Sequence, residues 1–292
     1  VKVSVVISTK DRPQFLRAAV SSVQRQSRRV DELFIVNDGS PAGVPPELRT
    51  ADVVVIQNER SRGGAFARNL GASRATGDIL MFLDDDDEWT EQKVEAQLAQ
   101  FRDAPSCVLV YSGRRIRSDR ALDRVIRQVC SKRQGNLYPS IFAANFVGVT
   151  SSVALRRNVF QAVGGFDETL PCRQDYDLWL RICRHGTVSW DGGYHVLYTI
   201  FDDPSRQVSG RPDRHVEAAN YLLRKYATTL AELPAGLRRE AIAEKWFSVA
   251  KAYRRSSWLQ SAQYSSRALR YSPRLSQLAL LLPRFVLSRF GG

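Results

Sequence analysis

The chain opens on an unbroken apolar run, "VSVVIS" at residues 3–8. A run with no polar alternation predicts a strand buried on both faces. "DRPQFLRAAVSSVQRQS" follows, with Phe15, Ala18, Ala19 and Val23 at helical spacing and Pro13 in the first turn, where its missing N–H costs nothing. The alternation then repeats. Strands are predicted in "DELFIVNDGS" (31–40), "VVVIQN" (53–58), "DILMFLDDDD" (78–87) and "SCVLVYSG" (106–113). Helices are predicted in "GGAFARNLGASRATG" (63–77) and from Thr90, read as an N-cap, through about 102. The implied fold class is α/β, with a mostly parallel sheet and helices on both faces.

Past residue 150 the pattern mixes. "TSSVALRR" reads as a strand, "NVFQAVGG" as a short helix and "QDYDLWLRICRHG" as a helix ended by Gly186. "TVSWDGGYHVLYTIF" reads as a hairpin turning at Asp191-Gly192-Gly193. From about 213 onward the pattern is helical, interrupted at Pro234, Pro273 and Pro283.

Ligands of parallel sheets bind beyond the carboxyl ends of the strands. Asp11, Asp38 and the run Asp84–Asp87 all fall just past strand ends, so three acidic positions converge on one rim. The acidic run reads in two ways: as a solvated turn whose carboxylates complement a helix N-terminus, or as ligands for a hard cation. Its place at the end of an apolar strand, on the same rim as Asp38, favours the cation.

Charge changes the picture next. Lys and Arg number 43 against 30 Asp and Glu, a formal charge of +13 over 292 residues. That excess fits a polyanionic neighbour: nucleic acid, an anionic membrane or a phosphorylated substrate. Four cysteines at 107, 130, 172 and 183 have no metal-ligand spacing and read as reduced thiols. "LALLLPRFVL" at 278–287 is too short, and too broken by Pro283 and Arg284, to span a bilayer.

Five stretches in order carry a resemblance: "VSVVISTKDRPQFL", "VNDGS", "GGAFARNLGASRATGDILMFLDDDDEW", "TSSVALRR" and "VGGFDETLPCRQDYDLWLRI". Together the chain resembles family 2 glycosyltransferases, the inverting enzymes of GT-A fold, over roughly residues 3–200. The implied organisation is a glycosyltransferase domain at 1–210, with a donor half at 1–112 and an acceptor half at 113–210. A basic, aromatic-rich helical region at 211–292 follows.

The resemblance implies transfer from a nucleoside-diphosphate sugar, a UDP-sugar by family habit, with Mn2+ or Mg2+ as cofactor. The family's DxD pattern falls on Asp84 and Asp86: Asp84 by the ribose or the metal, Asp86 on the metal. Asp85 is counted with the nucleotide-sugar residues although an extended chain turns it the other way, and Asp87 supports the site from outside. Asp38 receives the base, and is equally a turn residue before Gly39. Thr9 and Asp11 lie beside base and ribose. Arg68 reaches toward base or diphosphate, unless it is an ordinary helix-surface arginine. The general base is the Asp of a Glu-Asp pair at a helix start, here Gln174-Asp175, so Asp175 keeps the base while Gln174 alters the acceptor contacts. Asp177 is its competitor, and an N-cap role for Asp175 is the plain alternative.

The chain departs from the family in one further place. Where many relatives carry a histidine after the last hairpin, Phe201 stands here, leaving His195 and Asp202 as nearby candidates for a metal or phosphate contact. The QxxRW signature of processive members is absent, which implies one transfer per encounter.

Residues 113–133 hold eight Lys/Arg against two Asp, either a clamp for a phosphorylated or lipid-diphosphate acceptor or a solvated loop. Residues 245–292 hold nine Lys/Arg and no acid, interleaved with aromatics that include Trp246, Tyr253, Trp258, Tyr264, Phe285 and Phe290. That suits an anionic membrane surface at the cytoplasmic face; helical packing or an oligomer contact is the alternative. No nucleic-acid motif appears. The expected activity is sugar transfer to a glycan or lipid-linked glycan. Its rivals are a sugar nucleotidyltransferase, disfavoured because "STKDRPQ" is no glycine-rich phosphate loop, and a degenerate sugar-nucleotide binder.

Overall fold

A computed structural model describes residues 1–203, 206–207, 210–273 and 278–281. The chain divides into two compact units, one of residues 1–137, 146–168 and 174–202, the other of 138–145, 169–173 and 203–292.

In the first unit the apolar runs become strands β1 (Val3–Thr9), β2 (Glu32–Asp38), β3 (Val53–Asn58) and β4 (Ile79–Asp84), alternating with helices α1 (Pro13–Gln24) and α2 (Gly64–Arg74). After β5 (Glu88–Trp89) come α3 (Lys93–Asp103), β6 (Cys107–Tyr111), β7 (Arg114–Ser118) and β8 (Ala121–Val129). Then follow β9 (Val153–Arg156), α4 (Arg157–Ala162), α5 (Gln174–Ile182), β10 (Thr187–Trp190) and β11 (Val196–Ile200). Seven strands form one sheet in the order β10-β6-β9-β4-β1-β2-β3. It is parallel except for β9, which runs antiparallel to both β4 and β6.

Around β1, β2, β4 and β6 both faces are covered, which is why these strands read as continuous apolar runs; the edge strand β3 leaves Val54 exposed. Val3, Val5, Ile7, Met81 and Leu83 pack with Leu16, Val20 and Val23 of α1 and Val94 of α3. On the opposite face α2 lies so close that a Cβ on Gly71 would stand 2.4 Å from a methyl of Val6. Phe82 meets Phe160 and Phe166 on that side, with centroids 5.6 and 5.2 Å away.

The second sheet, β5-β11-β7-β8, corrects three readings of the sequence. The predicted hairpin at 187–201 is not one: β10 pairs with β6 in the large sheet, while β11 pairs with β5 and β7 in the small one. The turn holding Gly192, at φ +85°, carries the chain from one sheet to the other. Thr90 is not a helix cap: its N–H bonds the carbonyl of His195 at 3.0 Å, and α3 starts at Lys93. Pairing of β5 with β11 draws this segment into the sheet. The reading of residues 113–133 as a solvated loop gives way to the β7–β8 hairpin over 114–129, with β8 exposed along its length.

The second unit is helical: α6 (Pro212–Lys225), α7 (Ala227–Glu232), α8 (Ala235–Tyr253) and α9 (Trp258–Leu269). Trp246 and Tyr253 of α8 both stack on Tyr264 of α9, with centroids 6.0 and 5.6 Å away. Arg267 lies 3.5 Å over the Trp246 ring. These three aromatics build the unit's own core, while Trp258 and Leu259 stay exposed. Glu244, buried in α8, is paired with Arg173 at 3.0 Å, and the Lys245 ammonium donates to the Phe142 carbonyl at 2.9 Å. Phe285 and Phe290 lie outside the described residues. No helix among the described residues is long and apolar enough to cross a membrane.

Candidate active site

The rim above β1, β2 and β4 is built from three strand ends. At the end of β1 the Thr9 hydroxyl donates to Asp85 at 2.7 Å, and the Lys10 N–H reaches the same oxygen at 3.3 Å. Asp11, at φ +54°, turns the chain there, its N–H bonding the Ser40 hydroxyl at 2.7 Å. At the end of β2 the Asp38 carboxylate accepts from the N–H groups of Arg62 and Gly63, the Ser61 hydroxyl and the Asn58 amide, at 2.9, 2.8, 2.7 and 3.3 Å. Burial alone would raise its pKa, yet these donors hold it below the ordinary value. Gly39, at φ +80°, is required at this turn, because a Cβ would lie 2.5 Å from the Ser61 nitrogen.

At the end of β4 the four aspartates part company. Asp87 is buried and accepts from the Ser151 hydroxyl at 2.6 Å and the Thr199 N–H at 3.0 Å. The same Ser151 oxygen accepts the Asp84 N–H at 3.1 Å, so one hydroxyl fixes both ends of the turn. Asp85 and Asp86 share one nitrogen of Arg12, at 3.2 and 2.5 Å. Asp84 is ion-paired with Arg68.

The second turn of α2 brings Arg68 to this corner. Burial acts against its charge, but the carboxylates of Asp84, Asp175 and Asp86 hold its pKa above the ordinary arginine value. Its Nε is buried without a hydrogen-bond partner. Asp175, second residue of α5 and 91 residues further along the chain than Asp84, thus acts electrostatically on Arg68. Gln174 opens α5, and Tyr176, Trp179 and Leu180 anchor the helix in the core.

Two other candidates bond elsewhere. Asp177 accepts from Arg181 at 2.6 Å, and Arg181 in turn donates to the carbonyls of Val163 and Gly165. The His195 Nδ1 lies 2.7 Å from the Thr90 hydroxyl. Burial, aided by Lys93 and Arg115 and opposed by Asp191, lowers its pKa. Phe201 is buried beneath Arg12.

The charges of the corner do not balance. Four carboxylates at 84–87 face two guanidinium groups, and burial together with the neighbouring Asp85 pushes Asp86 up to about 7. Asp85 and Asp87 are raised as well, burial being the first cause. Among the described residues no three acidic, His or Cys side chains converge as a ready metal cage. Hard oxygen donors with uncompensated charge do suit a Mg2+-like ion held by one or two carboxylates and completed by phosphate and water. The residues present therefore fit such an ion.

Arg12, Ser151 and Thr199 were not among the residues singled out from the sequence. Arg12 stands in "TKDRPQFL" and Ser151 in "TSSVALRR", both motifs of the resemblance, but nothing local marks either as a partner of an aspartate.

Comparison with known proteins bears on this geometry. A glycosyltransferase of Haemophilus influenzae, itself uncharacterized, is 26% identical over 78% of this chain and 78% of its own. The fold is shared with Staphylococcus aureus TarS 1–349 in complex with UDP-GlcNAc, at TM-score 0.64 and 16% identity over 94% of this chain and 82% of that one. It is shared also with the mannosyltransferase PcManGT of Pyrobaculum calidifontis in complex with GDP-Man and Mn2+, at TM-score 0.58 and 17% identity over 99% and 81%. The model of glycosyl transferase family 2 matches residues 4–164, more than half of the sequence, and with the α/β sheet and its acidic rim in place the chain belongs to that family and is a glycosyltransferase.

Proposed function

We propose that this glycosyltransferase moves a sugar, with inversion, from a nucleoside-diphosphate sugar to a hydroxyl of a glycan or lipid-linked glycan, and that it requires Mn2+ or Mg2+. A UDP-sugar is the favoured donor. The reading is supported by the Arg68–Asp84 ion pair at the end of β4 and by the electrostatic pull that Asp86 and Asp175, from two distant segments, also exert on Arg68.

Asp84 and Asp86 are the residues that would hold the cation. When bound, it supplies Lewis-acid stabilisation of the departing diphosphate. Asp175 accepts the proton of the acceptor hydroxyl as that oxygen attacks the anomeric carbon. The new C–O bond forms as the bond to the diphosphate breaks, and the electron pair leaves with the diphosphate. Arg68 faces the charge that develops there. Asp38 serves the base by exchanging its longest contact, the Asn58 amide at 3.3 Å, for the base's imide N–H. Thr9, Asp11 and Asp85 order the base and ribose side, and Gln174 contacts the acceptor.

The basic residues at 251–292, but not the buried Lys245, would hold the protein peripherally at an anionic, cytoplasmic membrane face, each cation adding about 1 kcal/mol. Exposed Trp258 and Leu259 support that contact.

The test is calorimetric binding of a nucleoside-diphosphate panel with and without Mn2+, joined to transfer assays. Mn2+-dependent binding of one nucleotide should vanish in Asp86→Ala. Asp175→Asn should bind donor normally while transfer falls by about a hundredfold or more. Loss of donor binding in Asp175→Asn would undo the assignment of the base.

A further inference from the structure

Arg12 has no role in the reaction as assigned, yet it is the cation nearest to Asp86. One of its guanidinium nitrogens lies 2.5 Å from Asp86 and 3.2 Å from Asp85. Its charge rests over the ring of Phe201, 5.0 Å from the centroid. That ring is fully buried and is braced edge-on by Phe15, with centroids 5.3 Å apart. The seat is therefore fixed on both sides: carboxylates in front, an aromatic face behind.

The chemistry of the seat is selective. An aromatic face attracts a guanidinium but offers a metal no lone pair. A histidine at 201 would do the reverse, adding a nitrogen ligand. Arg12 and a divalent cation are charges of the same sign competing for the same Asp86 oxygen. We propose that Arg12 is a built-in counter-cation of the acidic turn, one that a divalent metal must displace from Asp86. Metal then binds weakly on its own and enters together with the donor diphosphate, whose negative charge compensates both cations. The inference rests on the metal-dependent reading above.

The test uses the full chain and free Mn2+ measured by electron paramagnetic resonance, with UDP as the nucleotide probe. Without UDP, Arg12→Gln should bind Mn2+ at least tenfold more tightly than the wild type, about 1.4 kcal/mol. Arg12→Lys, which keeps the charge, should stay within threefold of the wild type. With saturating UDP the gap between Arg12→Gln and wild type should narrow. If Arg12→Gln fails to fold, Phe201→Leu reads the same equilibrium by removing the seat, and Mn2+ affinity should again rise. Unchanged or weaker Mn2+ affinity in Arg12→Gln, with binding still lost in Asp86→Ala, overturns the counter-cation and leaves metal-dependent transfer standing. Absence of Mn2+ binding from every variant, with and without UDP, overturns both.

Discussion

Gly71 couples the packing of α2 to the acidic corner, and Gly71→Ala perturbs both. The added Cβ would stand 2.4 Å from one Val6 methyl, with a second Val6 methyl and one of Val36 at 3.1 Å. Carbon atoms at ease sit about 3.5–4.0 Å apart, so more than 1 Å must be found. Val6 cannot supply it: β1 is clamped between β2 and β4, and a β-branched side chain has few rotamers to offer. Helix α2 must therefore retreat, carrying Arg68 away from Asp84. Overpacking of this kind costs about 1–3 kcal/mol, and the clash puts it at the upper end. Alanine's better helix propensity returns about 1 kcal/mol. The expected net loss is about 2 kcal/mol in equilibrium urea unfolding, with weaker nucleotide binding alongside. The double variant Gly71→Ala/Val6→Ala should lose less than the sum of the singles by about 1 kcal/mol or more, since the second change empties the space the first one needs. A stability equal to or above wild type, or strict additivity of the pair, would refute the packing argument.

Other predictions concern the hydrogen bonds around the sheet and the helices. Ser151→Ala removes the hydroxyl shared by Asp84 and Asp87 and should cost about 1–3 kcal/mol by chemical denaturation; a loss under about 0.5 kcal/mol would show that the turn does not depend on it. Glu32 is held down to about 2: burial opposes ionisation, but Lys2, Ser4 and Thr76 all donate to it. Its folded pKa lies below the unfolded one, so the stabilisation, on the order of 2 kcal/mol, is present above about pH 4.5 and is lost as pH falls toward 2. Thermal melts of Glu32→Gln and wild type should accordingly differ at pH 7 and converge near pH 2; a gap that is constant with pH would contradict this. In the helical unit, Glu244→Gln leaves half-buried Arg173 and buried Lys245 without their carboxylate and should cost about 3 kcal/mol, seen as an earlier helical transition by circular dichroism.

How much was legible follows from the range of each interaction. Strands β1, β2, β4 and β6 announce themselves because burial on both faces leaves unbroken apolar runs, whereas β3, an edge strand with Val54 exposed, is apolar without being buried on both faces. The acidic rim is equally plain, since strand ends fix where Asp38 and Asp84–Asp87 must lie. The second sheet was not legible. β5 is only two residues long, and the Asp191-Gly192-Gly193 turn looks the same whether the chain doubles back or changes sheets. The partners of the aspartates were hidden for a related reason: Ser151 lies 67 residues from Asp84 and Arg12 lies 74 from Asp86. Only the folded chain brings a hydroxyl or a guanidinium of no special sequence context to a carboxylate.

The second sheet has a consequence for how such a protein can diverge. One of its edge strands, β5, continues directly from the aspartate turn, while the other, β8, is nine residues long and exposed along almost its whole length. Substitutions on that edge meet solvent and leave the bonds of Ser151, Thr199 and Arg12 to the carboxylates intact. The fold thus joins a corner that tolerates almost no change to a margin that can vary freely, and new surface chemistry can accumulate on the margin without being renegotiated with the corner.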